Sequence, residues 1–152
     1  MTASMPFRNA AGVPGECAAP TDAQHFDHST VQVLPPGIGE IEIVLARFEL
    51  PLGYCGVLEA FSQFTNAFGV SAANIMTPGL SWQLLINRQP VAPYLSWEHI
   101  INPWGYCGAP IAIKLPASSR VEFTVRRRPV AAAPPIQSVG GRIQGRYWYS
   151  NR

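Results

Sequence analysis

The chain has 152 residues, of which only 13% are charged, and a formal net charge of +2. That length suits one domain with a sizeable core, and the charge is too small to argue for nucleic acid. Charged residues fall well below the roughly 25% of an average soluble domain, while proline and glycine are abundant, a combination that argues against a helical bundle and for short strands joined by tight turns.

Residues 1–30 are rich in Ala, Gly, Pro, Thr and Asp without apolar periodicity, and read as an extended or flexible arm ahead of a β-sandwich domain over 31–152. Such an arm could wrap a neighbour. Within it, His25, Asp27 and His28 bring two imidazoles and a carboxylate close together. No further Cys or His is near, so they read as solvated loop residues rather than as metal ligands. From Val31 onward, strands are expected near 31–34, 40–49, 54–62, 80–87, 91–97, 110–115, 120–127 and 137–149.

The segment Glu40 to Glu49 is apolar on both faces at Val44, Leu45 and Ala46, which suits a strand covered on both sides. Leu58, Phe61, Phe64 and Phe68 have helical spacing, so a helix over 58–68 competes with a strand over 54–62. The clearest strand is Arg120 to Arg126, with Val121, Phe123 and Val125 inward and Arg120, Glu122, Thr124 and Arg126 towards water. Gly140-Gly141 suggests a bulge or bend in the last strand. Turn signals recur about every ten residues, from Pro35-Pro36-Gly37 to Pro116-Ala-Ser-Ser119, as an antiparallel sandwich or barrel requires.

The tetrapeptide Gly-Tyr-Cys-Gly occurs twice, at 53–56 and 105–108, in a chain with three cysteines. Each copy follows a turn-forming pair and leads into an apolar run, the pattern of a strand start. A Cys55–Cys107 bridge would close a loop of roughly 50 residues and stabilise the fold by about 4 kcal/mol. Two buried free thiols, or two similar turns, fit the same pattern. Metal ligation fits worst, since neither copy offers a second ligand at short spacing. Cys17 is the odd thiol.

Catalytic chemistry has a thin inventory: nine carboxylates, three histidines, and no nucleophile elbow, zincin helix or phosphate loop. Glu98-His99 is the one adjacent acid and imidazole pair, and neighbours on a strand point to opposite faces. No enzyme activity, cofactor or metal is expected. Arg126, Arg127 and Arg128 form the one charge run, read either as a solvated strand end or as contact with phosphate or an acidic surface. Trp97, Trp104 and Trp148, among many aromatics, are candidate interface residues. Trp97, Trp104 and Tyr106 could instead form a sugar platform. No stretch approaches the ~18 apolar residues that span a bilayer, and Met1 to Ala11 lack a secretory-signal pattern, so a soluble chain made in the cytoplasm is expected.

Four segments together carry a resemblance: Phe48 to Phe64, Trp82 to Val91, Pro110 to Phe123, and Gly141 to Tyr149. Their order resembles a family of small virion-associated β-sandwich proteins of tailed bacteriophages, of jelly-roll type. The resemblance implies about eight strands behind an N-terminal arm, and a structural role as a capsid decoration or cement protein. It also implies a major capsid protein or other virion protein as partner, a homotrimer and location in the virion; from charge and hydropathy, neither nucleic acid nor membrane is expected as partner. Arg88 departs from the pattern, since glycine would ease the hairpin turn after Asn87. A carbohydrate- or receptor-binding module is the competing reading.

Overall fold

Alternation over Arg120–Arg127 sits at the centre of the architecture. The computed structural model describes residues 4–8, 14–65, 79–92, 94–96, 109–129 and 138–150. In it, Val121, Phe123 and Val125 are buried, as apolar residues at every second strand position should be. The strands in chain order are β1 (Ser4–Arg8), β2 (Pro14–Pro20), β3 (Gln24–Val33), β4 (Ile41–Glu49), β5 (Tyr54–Thr65), β6 (Leu80–Ile86), β7 (Gln89–Pro90), β8 (Ala109–Leu115), β9 (Arg120–Arg127) and β10 (Ser138–Tyr149). None of the described residues is helical.

β1 and β2 form a hairpin, and the other eight strands make two four-stranded antiparallel sheets, ordered β3-β10-β5-β8 and β4-β9-β6-β7. Partners nest: β3 pairs with β10, β4 with β9, β5 with β8 and β6 with β7. The first of the eight therefore meets the last, and the second meets the last but one. A ribbon of four such pairs, rolled so that successive pairs fall in alternate sheets, is a jelly roll. Pairings of β10 with β5 and of β9 with β6 close the wrap. The expected antiparallel sandwich of about eight strands is the fold.

The core lies between the sheets, where Phe61, Trp82 and Phe123 are fully buried among Leu45, Leu58, Leu84, Leu115 and Ile143. Phe123 is the hub, with ring centroids 6.0 Å from Trp82 and 5.5 Å from Phe61. Gly141 makes room for it: a Cβ there would lie 2.6 Å from Phe123 Cδ1 and 2.9 Å from Leu45 Cβ. The expected bulge at Gly140-Gly141 is absent, for both residues keep register with β3 and β5. Close approach of the two sheets, not a bend, is what this glycine serves. The irregularity of β10 against β5 lies instead between Gln144 and Gly145.

Other expectations change in physically instructive ways. β4 is an edge strand with Val44 exposed, so it is not covered on both sides. A register shift between Val44 and Ala46 turns both Leu45 and Ala46 into the core, which explains the apolar run. Residues 58–65 are strand, not helix, and Phe61 faces inward from it; the helical spacing of the phenylalanines is a coincidence of aromatics suited to a sheet. Residues 66–68 of the competing helical reading lie outside the described residues, and the strand alternative over 54–62 falls within β5. Of the strand expected over 91–97, the described residues 91, 92 and 94–96 show only an isolated bridge from Val91 to Tyr94, and β7 covers Gln89–Pro90 ahead of it; residues 93 and 97 lie outside the described residues. On β9, Glu122 and Thr124 are buried, although alternation assigned them to water. Finally, β3 begins at Gln24, inside the segment read as an arm.

Candidate functional site

Two surface features stand out, an apolar corner and a polar cleft at the strand ends. The corner is built by β3, β4 and the connection between them. Val31 and Val33 on β3 are 65% and 77% exposed, Ile38 in the connection 52% and Val44 on β4 40%. These four make up most of the large exposed hydrophobics among the described residues. β3 and β4 belong to different sheets, yet side chains of β3 bond to the backbone of β4. The Gln32 amide donates to the Val44 carbonyl at 2.8 Å, and the Thr30 hydroxyl donates to the Leu45 carbonyl. These bonds tie the two strands together, while Val31 and Val33, at the alternate positions, point off the other face of β3.

The connection is fixed by Arg127. Its guanidinium donates from Nε to Gly39 O at 2.7 Å and from Nη1 to Pro35 O at 2.6 Å, and the residue is only 3% exposed. The run Arg126-Arg127-Arg128 is therefore not one uniform surface. Arg127 turns inward because a bent connection leaves carbonyls that a buried donor must satisfy. Arg126 is exposed and pairs with Glu40, its Nε 2.6 Å from Oε1. Arg128 is exposed, and its backbone N–H donates to Gly79 O.

The cleft gathers three turns remote in sequence. Glu49, Leu50, Asn87, Arg88, Ser118, Ser119 and Arg120 line about 310 Å³ at one end of the sandwich. Backbone bonds knit the turns together. Asn87 N–H donates to Arg120 O at 2.8 Å, and Arg120 N–H donates to Asn87 Oδ1 at 2.9 Å. Leu50 N–H reaches Ser119 O at 2.9 Å, Ser118 N–H reaches Tyr54 O at 2.8 Å, and Gly53 N–H reaches Ser118 Oγ at 3.0 Å. Asn87 and Arg88 have φ of 50° and 65°, the paired positive angles of a two-residue type I′ hairpin turn. Arg88 adopts them without being glycine, at a cost of about 1–2 kcal/mol. Ser118 has φ of 57°.

Behind the cleft, the face of β4 and β9 turned away from the core carries alternating charges. Arg47 Nη2 lies 2.9 Å from Glu49 Oε1, Arg120 Nη1 lies 3.3 Å from the same oxygen, and Arg47 Nε and Arg120 Nε are each 3.6 Å from Glu122 Oε1. Cross-strand register explains the set, since Arg47 stands opposite Glu122 and Glu49 opposite Arg120. Hydrogen bonds from Arg120 and then Arg47 hold the Glu49 carboxyl below its ordinary range.

The remaining residues singled out from the sequence are scattered. Asp27 and His28 lie on β3, not in a loop, and neighbours on a strand face opposite ways. His28 packs against Phe48, with ring centroids 5.2 Å apart. Asp27 accepts from Arg142 Nε at 2.7 Å, and that bond holds its carboxyl below the usual range. Among the described residues, no three His, Cys, Asp or Glu side chains are grouped to hold a metal ion. The first Gly-Tyr-Cys-Gly does begin a strand: Gly53 has φ of 79°, Tyr54 N–H closes the turn onto Pro51 O, and β5 starts at Tyr54. Cys55 is a half-buried free thiol whose pKa burial pushes up. Trp148 is half-buried on β10, opposite Cys55 in register. Cys107, Trp97, Trp104, Tyr106, Glu98 and His99 lie outside the described residues.

Fold and surface together define the class, an antiparallel jelly-roll sandwich with an apolar corner and a polar cleft. Comparison with protein-family models, with curated proteins and with solved structures found no match.

Proposed function

We propose that the chain is a structural virion protein of the capsid decoration or cement type, which binds and stabilises a phage shell. The observation that carries this reading is the exposure of Val31, Val33, Ile38 and Val44 along the edge made by β3, β4 and their connection. Large apolar side chains exposed along one edge of a fold mark surfaces that another protein covers. Here they rise from paired strands and from a connection locked by Arg127, so docking would cost little ordering entropy. The jelly roll is shared by capsid and lectin domains, which is compatible with the reading but does not decide it. The partner in this proposal is a major capsid protein or another virion protein, and the chain acts as a homotrimer.

Quantitative mass spectrometry of gradient-purified particles from the source culture tests it. A fixed, high ratio of this chain to the major shell protein is expected. A folded V31E/V33E double variant should be lost from the particles. Absence of the natural chain from particles sinks the proposal. The cleft favours a second reading, a carbohydrate- or receptor-binding module, with its own test below.

A further inference from the structure

We infer that the cleft lined by Glu49, Leu50, Asn87, Arg88, Ser118, Ser119 and Arg120 binds a carboxylate-bearing sugar residue. The inference rests on the second reading above and not on shell docking. A chain absent from particles can still bind such a sugar, and a decoration protein can fail to.

Unmatched donors come first. The Ser119 hydroxyl belongs to a residue only 1% exposed and has no hydrogen-bond partner. Arg120 Nε is buried without a hydrogen bond, its nearest carboxylate oxygen being Glu122 Oε1 at 3.6 Å. Buried polar groups without partners are rare in folded proteins and costly. Both residues line the cleft and both groups can donate, so a ligand group that accepts would satisfy them. Arg88 adds a third donor on the exposed turn.

Charge then selects the anion. Arg88 and Arg120 face one lining carboxylate, Glu49, with Glu122 behind, so the cleft has at most one positive charge to spare. That suits a monoanionic carboxylate better than a phosphate dianion. Acceptors select the rest of the ligand. Both arginine bonds to Glu49 fall on Oε1, which leaves Oε2 to accept from hydroxyls. Leu50 is the one large apolar side chain of the lining and is buried in the core, so the wall is made for a polyol rather than an apolar group. A volume of about 310 Å³ lies at the small end of ligand pockets, the size of one sugar ring.

Backbone strain supplies an independent sign. All three non-glycine residues with positive φ among those described, Asn87, Arg88 and Ser118, line this one cleft. Strain of this kind persists where surrounding structure enforces it, and it gathers at binding sites.

The test is an NMR titration of the ¹⁵N-labelled full chain with methyl glucuronoside, methyl glucoside, acetate and inorganic phosphate. Glucuronoside should shift the amides of Asn87, Arg88 and Ser118 to Arg120, with a Kd of about 1 mM or tighter. The neutral glucoside, acetate and phosphate should each bind at least about tenfold more weakly. R88A, at an exposed position, and S119A should each weaken glucuronoside binding about fivefold or more with the remaining spectrum unchanged. Shifts elsewhere or none, equal binding of acetate, phosphate or glucoside, or unchanged affinity in both variants would overturn the inference.

Discussion

Replacing Arg127 by alanine should unfasten the connection between β3 and β4. Two charge-assisted bonds to the Pro35 and Gly39 carbonyls would go, at 2.6 and 2.7 Å, from a side chain almost fully buried. Bonds to charged groups are worth about 1.5–3 kcal/mol each, and the truncated site regains part of this because a guanidinium is no longer buried. A net loss of about 2–4 kcal/mol follows, which for a chain of this length lowers Tm by about 5–15 °C. Circular dichroism melts of R127A give that number. Hydrogen exchange should also show the amides of 37–40 opening before those of β9 and β10. R126A is the matched control, since Arg126 and Glu40 are each about half exposed and such pairs contribute under about 1 kcal/mol. Equal, small losses for R126A and R127A would refute the assignment of Arg127 as the clamp.

G141A should lower stability by about 1–2 kcal/mol in urea unfolding. The new methyl group pushes on Phe123 and Leu45, an overpacking cost of about 1–3 kcal/mol, partly offset by the smaller entropy of the unfolded chain; an unchanged or raised midpoint would contradict the close approach of the sheets. Acid should remove the contribution of Asp27. Its folded pKa lies below the ordinary 3.8, so its pairing with Arg142 acts fully above that value and fades as pH falls through the lower folded value. D27N should therefore trail the natural chain by under about 1 kcal/mol at neutral pH, with the gap closing below about pH 3.8 and a gap that stays constant counting against the argument.

The segments whose structure was legible are those where one face meets the core and the other meets water. β9 shows it most plainly, and β6 and β10 fall within a residue or so of their expected spans because turn residues bracket them. Most of β3, residues 24–30, was hidden, since the sandwich buries only Phe26 of the strand's ten residues. Its remaining positions, rich in His, Asp, Ser and Gln, look like a loop because an edge strand needs few apolar contacts. Glu122 and Thr124 show the opposite limit, for alternation reports that two faces differ and not that the second one is open. Arg127 could be read only as part of a charge run, because the carbonyls it satisfies lie some ninety residues upstream. The cleft shares that difficulty. Its lining comes from turns near residues 50, 87 and 119, and the one local signal was Asn87-Arg88 filling a two-residue turn where glycine would be easier.

Pairing of first with last strand sets a schedule for synthesis. β10 lies between β3 and β5, so β3 has no sheet partner, and β5 has only β8, until residues 138–149 have left the ribosome. Until then the nascent chain carries two unpaired edges, one of them ending in the outward valines of β3. Partnerships of such long sequence separation form slowly and expose the chain to misassembly in the meantime. The polar, weakly strand-forming composition that concealed β3 in the sequence is what an edge that must wait for its partner needs if it is not to pair with another chain first.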